Sequence, residues 1–407
     1  MSNTSVQSQN GKSGIKTSGW FFMMVLSALM AFTSLSTDIY LPAMPQMARE
    51  LQGNVELTIT GFLAGFALAQ LIWGPISDRI GRRKPLFIGM ILYVIGSIGC
   101  ALSQTLEQVV FWRIFQAFGA CTGPMLARTM IRDLYARTQA AQMLSTLSII
   151  MAIAPIIGPL LGGQIIKLSS WHNIFWLLAG IGCLMFLSLF FLPETHHVEH
   201  RTRVSVVTAF HNYRRLLGNW QFMRYTLCVT FFYVAVYTFL VASPFVYISF
   251  YGVDAQHYGW LFALNILGVM GLSFINRNLV KRLSLEQLLK CTTLIAMLAL
   301  LILCALFFLD IGGIYSIVIM VFLFFSMNGM IAANSTAAAL DGVPEIAGSA
   351  AALIGSLQYG SGIISSLLVA WLSTGTPQAM ILIMTAFTVL SVVMVFIPDR
   401  GEHQLAS

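Results

Sequence analysis

Long apolar runs separated by short polar gaps recur along this chain. A helix needs about 20 apolar residues to cross the hydrocarbon core of a bilayer. That window predicts spans near 19–43, 56–75, 85–104, 108–131, 140–165 and 173–192, and six more near 223–248, 257–276, 287–309, 313–339, 346–372 and 377–397. Between the two sets lies a polar stretch from Pro193 to about Gln221. The expected fold class is therefore all-α integral membrane, with 12 transmembrane helices in two six-helix bundles. The expected domains are a leader (1–18), a first bundle (19–192), a central loop (193–221), a second bundle (222–398) and a tail (399–407). The first run starts near Trp20 and reaches Leu41 without a small-residue cleavage site, so it reads as a retained span rather than a signal peptide.

Composition agrees with a membrane solvent: 57% of the 407 residues are hydrophobic and only 9% charged, against about 25% charged in soluble domains. The net charge of +7 follows from the loops. Arg79, Arg82, Arg83 and Lys84 follow span 2, Arg132 and Arg137 follow span 4, and Arg201, Arg203, Arg214 and Arg215 lie in the central loop. Arg277, Lys281, Arg282 and Lys290 follow span 8, whereas the opposite side carries only Arg49 and Lys167. The positive-inside rule then puts both termini in the cytoplasm. The basic loops have no interleaved aromatics, so no nucleic-acid partner is expected. The six cysteines all fall inside apolar runs without C-x-x-C spacing, which excludes a disulfide framework or a zinc site. His196, His197 and His200 share the central loop with no supporting acid or cysteine cluster, and read as a solvated linker. No metal is expected.

Ionisable groups inside the spans are the sharpest functional pointers, because a charge at mid-span costs roughly 2.5–3.5 kcal/mol even on lenient insertion scales. Asp38 lies in the outer half of span 1, Glu56 at the start of span 2 and Arg113 early in span 4. Arg128, nearer the end of span 4, has an arm long enough to snorkel to the interface. Pro42 cannot donate a backbone hydrogen bond and is expected to kink the helix beside the Asp38 carboxyl. An acid whose water access changes can exchange protons. The competing reading has Asp38 hydrated at the outer interface or locked in an ion pair. Arg113 cannot shuttle protons itself; it either tunes an acid, holds substrate through its fork of donors, or ties helix 4 to neighbouring carbonyls.

Further candidates are conformational. Gly74, Asp78, Arg79, Gly81, Arg82 and Arg83 join spans 2 and 3, where the glycines allow turning and close approach and Asp78 can pair with other helix ends to hold one conformation closed. Gly158, Pro159, Gly162 and Gly163 lie within span 5 and read as a hinge or a seal. A mostly apolar cavity with a few orienting polar groups has candidates in Tyr40, Gln70, Gln116, Met125, Met151, Tyr233, Tyr237, Asn265, Asn328, Gln358 and Tyr359.

Together these pieces resemble the major facilitator superfamily over nearly the whole chain. The span 2–3 loop is similar to its G-x-x-x-D-R-x-G-R-R/K signature, and Arg113 opens a segment resembling the span 4 R-x-x-Q-G-x-G motif, with Ala117 at the first glycine. Gly158-Pro159-Leu160-Leu161-Gly162-Gly163 is similar to the G-P-x-x-G-G signature of antiporters. Thr37-Asp38-Ile39-Tyr40-Leu41-Pro42-Ala43 resembles the D-x-Y-L-P-A signature of the bicyclomycin-resistance (Bcr/CflA) drug exporters. Their second half is resembled by Pro244-Phe245-Val246-Tyr247-Ile248, Phe262-Ala263-Leu264-Asn265 and Ala347-Gly348-Ser349-Ala350. The resemblance implies a proton-driven antiporter in a bacterial inner membrane that exports molecules of bicyclomycin, sulfonamide or chloramphenicol type. It implies Asp38 and Arg113 as the proton-coupling pair, no bound cofactor, protons as the coupling ion, small-molecule and lipid partners, and a monomer. Rival readings are a physiological exporter of a metabolite or amino acid, and an uptake symporter, which the span 5 signature disfavours. No intramembrane nucleophile with a base is visible, so an enzyme is not expected.

Overall fold

The computed structural model describes residues 19–135, 137–196 and 206–397. The described residues form fifteen α-helices and no strand. The first half holds α1 (Gly19–Asp38), α2 (Met44–Leu51), α3 (Glu56–Ile80), α4 (Arg83–Leu102), α5 (Leu106–Leu134), α6 (Arg137–Leu168) and α7 (Trp171–Ser188). The second holds α8 (Val206–Leu217), α9 (Trp220–Pro244), α10 (Ala255–Leu279), α11 (Leu285–Phe308), α12 (Gly313–Ser326), α13 (Asn328–Asp341), α14 (Ala347–Leu372) and α15 (Gln378–Phe396). The leader, the tail end from 398, and His197, His200, Arg201 and Arg203 lie outside the described residues.

Three spans are interrupted rather than straight. Pro42 has no N–H for the carbonyl of Asp38, so α1 ends at Asp38, a single 3-10 turn (Leu41–Ala43) follows, and α2 restarts with Pro45 in its first turn. After Pro244, α9 widens into a π-helical turn, Phe245–Phe250, a form that occurs mostly as short insertions at functional sites. The tenth span divides into α12 and α13 at Met327.

Eleven of the expected spans are apolar enough along their length to cross a bilayer. The twelfth, α5, has 29 residues, about 43 Å of helix. It fails on apolarity alone, because Arg113, Gln116, Thr122 and Arg128 interrupt it. Its polar residues are sheltered because α5 packs among α1, α3, α4 and α6. Lipid instead meets outer stripes such as Ile88, Ile91 and Ile95 on α4, which are exposed at helical spacing. The central polar stretch is not wholly a loop: α8 lies within it, donating from Tyr213 Oη to the Leu71 carbonyl on α3 (3.3 Å) and from Asn212 to Ser349 on α14 (3.5 Å).

Within the first bundle, α4 and α5 approach through small residues, the usual way helices come close in lipid. The backbone at Gly96 faces the main chain of Gln116 so closely that a Cβ would collide with the Gln116 nitrogen. Overpacking of this kind costs roughly 1–3 kcal/mol. Gly96→Val is therefore expected to lower the thermal unfolding midpoint of the detergent-solubilised protein by several degrees; an unchanged midpoint would show that the helices separate freely there.

Candidate functional site

The broken end of α1 organises the site. Asp38 is 4% exposed, and one carboxylate oxygen accepts a hydrogen bond from Thr37 Oγ1 at 2.9 Å. No basic side chain pairs with it among the described residues. One flank is α6: the site of a Cβ on Gly158 lies 3.3 Å from the Asp38 Cβ, and a Cβ on Gly162 would collide with the Ile39 carbonyl. The other flank is the opposite bundle, where Tyr237, Tyr258 and Tyr359 lie within electrostatic reach of the carboxylate. One residue further along α6, Gly163 faces the Ala255 carbonyl at the start of α10, so the glycine edge of α6 contacts both bundles at once. The span 5 signature therefore forms a close contact here.

Arg113 does not meet Asp38. It is fully buried and donates from Nη1 to the Ser36 carbonyl (3.0 Å) and to Gln116 Oε1 (2.6 Å). Its guanidinium lies over the rings of Tyr40 (4.3 Å), Phe62 (4.5 Å) and Phe175 (5.7 Å), contacts worth about 2 kcal/mol or more when desolvated. Gln116 passes the chain on to Ser97 Oγ (2.8 Å), while Tyr93 Oη meets Ser36 Oγ (2.8 Å). The cation thus ties α1, α4 and α5 together through a carbonyl and an amide. Residues two apart on a helix point to opposite faces: position 36 turns toward Arg113, and position 38 turns away toward α6 and the second bundle.

The expected cavity residues divide into two groups. Tyr40 and Gln116 are fully buried inside the first bundle, engaged with Thr58, Arg113 and Ser97, so they do not face the seam between the bundles. Their polar atoms are already occupied by neighbours within the first bundle. Gln70, Met125, Met151, Tyr233, Asn328, Gln358 and Tyr359 are half-buried, and Tyr237 and Asn265 are buried. Several of these meet across the seam. Tyr359 on α14 packs at a tilt against Phe66 of α3, ring centroids 4.1 Å apart, and Tyr237 lies 6.4 Å from Tyr359 and 5.9 Å from Tyr233. The Tyr233 hydroxyl lies by the amides of Gln358 and Asn328. Gln70 packs against Gly355, with its Oε1 buried and without a donor.

Two readings change at the span 2–3 loop. Asp78 pairs with Arg82 four residues on (2.6 Å), and Arg82 also binds Asp133 at the end of α5 (3.1 Å). Glu194 accepts from the backbone N–H groups of Arg82 and Arg83 (2.9 and 3.1 Å) at the start of α4, where the helix dipole favours an anion. These contacts join ends of the first bundle to one another; none crosses to the second. Gly81 turns the chain at φ +95°, as expected of a glycine, whereas Gly74 faces open space and supports no close approach. Arg79 is exposed.

Phe66 and the Ser36–Tyr93–Ser97 chain carried no signal in the sequence, being ordinary residues of apolar helices. Arg128 did carry one, a cation more than a turn inside its helix, but its arm runs inward: Nη2 lies 3.7 Å from Met151 Sδ.

Two six-helix bundles joined at a seam, with an unpaired intramembrane acid at a broken helix, define a membrane carrier. Residues 24–366 match the Major Facilitator Superfamily. The chain is 30% identical over 379 residues to a bicyclomycin resistance protein homolog of Haemophilus influenzae, covering 92% of this chain and 95% of the relative. It is 34% identical over 369 residues to the uncharacterized MFS-type transporter YdgK of Bacillus subtilis, covering 89% and 92%. It is 29% identical over 390 residues to multidrug resistance protein D of Escherichia coli, covering 94% and 97%. Among solved structures, the nucleoside transporter NupG superposes with a TM-score of 0.74 at 13% identity, over 93% of this chain and 98% of its own. The xylose transporter XylE of E. coli superposes at 0.71 and 14% identity, over 94% and 99%. The chain belongs to the major facilitator superfamily and, within it, to the bicyclomycin-resistance (Bcr/CflA) family. It is a multi-pass membrane transporter and not an enzyme.

The contact of α6 with both bundles gives a mechanical prediction. Gly163→Val is expected to force α6 off α10 and raise maleimide labelling of a cysteine placed at Gln256, in a background with the native cysteines replaced. Labelling equal to that of the parent would show that the contact does not close this face.

Proposed function

We propose that this carrier exports small drug-like molecules of the bicyclomycin, sulfonamide or chloramphenicol type in exchange for protons, by alternating access. The names of its relatives support drug efflux; the observation that carries the proton step is Asp38, an acid at a broken helix with no basic partner, wedged between the α6 glycines and the tyrosines of the second bundle. An intramembrane carboxylate without a cation is stable only when protonated, hydrated or matched by a ligand. Cargo and proton then exclude each other at one carboxyl, which makes the exchange reciprocal. The proton is the coupling ion, and no bound cofactor takes part.

Arg113 acts through position: it holds the last turn of α1 by the Ser36 carbonyl so that Asp38 keeps its aspect toward the seam. The basic loops favour a cytoplasmic face at the ends of α3 and α5, with both termini on that side, in the inner membrane of a bacterium. Cargo enters from the cytoplasm or inner leaflet, and the carrier functions as a monomer.

In proteoliposomes carrying a proton gradient, Asp38→Asn is expected to abolish uphill drug efflux while the protein stays folded; export at the wild-type rate by that variant would refute the assignment. Arg113→Ala strands the Gln116 amide and the Ser36 carbonyl, and is expected to reduce resistance conferred in cells at least tenfold. Unchanged resistance at equal expression would remove Arg113 from the mechanism.

A further inference from the structure

Arg128 is exposed although its neighbours on α5, Leu126, Ala127, Met130 and Ile131, are fully buried. Six residues separate it from the end of α5 at Leu134, about 9 Å of helix, whereas Met151 lies fourteen residues into α6, about 21 Å from its start. A guanidinium beside Met151 Sδ (3.7 Å) has therefore been carried toward the middle of the bilayer rather than down to the interface. Among the described residues no carboxylate pairs with it. The buried arginines elsewhere have partners: Arg82 in Asp78 and Asp133, Arg224 in Glu286, and Arg113 in a carbonyl and an amide at Nη1 and in an aromatic cage, although its Nε and Nη2 have no hydrogen-bond acceptor among the described residues.

What Arg128 faces is the seam. The Tyr359 hydroxyl lies within electrostatic reach of Arg128 on one side and of Asp38 on the other. The tyrosine ring packs at a tilt against Phe66, and Gln70 Oε1 lies buried nearby on α3 without a donor. The seam is thus polarised along its depth: a cation with no carboxylate partner among the described residues, an aromatic contact of Tyr359, Tyr237 and Phe66, then an acid. An unpaired guanidinium in such a place is a ready receptor for an anionic group, which its planar fork binds with two parallel hydrogen bonds.

We infer that Arg128 binds an acidic group of the transported molecule, so that the carrier prefers anionic or zwitterionic aromatic amphiphiles to cationic ones. This rests on the exporter reading above for its biological setting, but it is a statement about binding. The aromatic body takes the place of Phe66 against Tyr359 as the seam opens, and an N–H or O–H on that body satisfies Gln70.

A matched series tests it with one fluorophore in three charge states: dansylglycine (anion), dansylamide (neutral) and dansylcadaverine (cation). Affinities are measured on purified full-length protein in detergent with no gradient, so the order is read independently of proton movement, the readout on which the exporter reading depends. The wild type is expected to bind dansylglycine at least tenfold more tightly than dansylcadaverine. Arg128→Gln is expected to lose about tenfold for dansylglycine and less than twofold for dansylamide, since a hydrogen bond to a charged group is worth about a tenfold factor or more. Arg128→Lys, which keeps the charge without the fork, should lose about threefold for the anion and retain the order. A wild type that prefers the cation, or an Arg128→Gln variant that weakens anion and neutral probe equally, overturns the assignment. Should Arg128→Gln fail to fold, the lysine variant decides alone: loss of the anion preference there overturns it as well.

Discussion

The rest of the structure depends on an acid buried between α6 and the second bundle, with no basic partner among the described residues. Asp38 ends α1 because Pro42 withholds the hydrogen bond that would carry the helix past it. The break sets the carboxyl against the one helix edge bare enough to admit it, the Gly158–Gly162 face of α6. The first-span and fifth-span signatures are thus two halves of one contact. A larger residue at position 162 would meet the Ile39 carbonyl, and an unbroken α1 would turn the acid elsewhere. Because α6 touches α10 at the next glycine, whatever changes the volume or charge at Asp38 also presses on the contact between the bundles. On the proposed alternating-access reading, that contact is where occupancy of the site would act on the rocking of two rigid halves.

Arg113 looks at first like the missing partner, but the periodicity of α1 forbids the pair. It holds the helix by position 36 while the acid at 38 faces the other way. The separation has a consequence for the chemistry. A cation in direct contact would hold Asp38 charged in every conformation; one that acts only through backbone and aromatic cage fixes the geometry without neutralising the carboxylate, as the proposed proton exchange requires. The fully engaged Tyr40 and Gln116 belong to that cage.

The fold class was readable in the sequence because bilayer thickness imposes a length on every span, and span length survives without knowledge of contacts. Asp38 and its helix break were readable for a similar reason: an acid and a proline in an apolar run are local facts. The span 4 helix already needed two arginines to be tolerated in the sequence, and in the structure it alone falls short of the apolarity that the other spans reach. What sequence could not give was direction. Whether Gln116 turns to Ser97 or to the seam depends on how α4 and α5 roll against each other, set by Gly96 and its neighbours three helices from the acid. Arg128 was misread for the same reason: proximity to a helix end permits snorkelling, and only the position of Met151 shows the arm pointing the other way. Likewise Asp78 had arginines on all sides in the sequence, and the choice of Arg82 follows from the i, i+4 geometry at the end of α3.

A cleft with a free cation at one depth and a lone acid at another also bears on what drives the cycle. A monoanion leaving as one proton enters moves two elementary charges in the same electrical sense. Each charge is worth about 2.3 kcal/mol per 100 mV of membrane potential, so an interior-negative potential and an inward proton gradient act together on such a cargo, whereas a monocation exchanged for one proton would move no net charge and draw on the proton gradient alone. On the proposed exchange, the sign of the charge at position 128 therefore bears on both which molecules are bound and which part of the electrochemical gradient does the work.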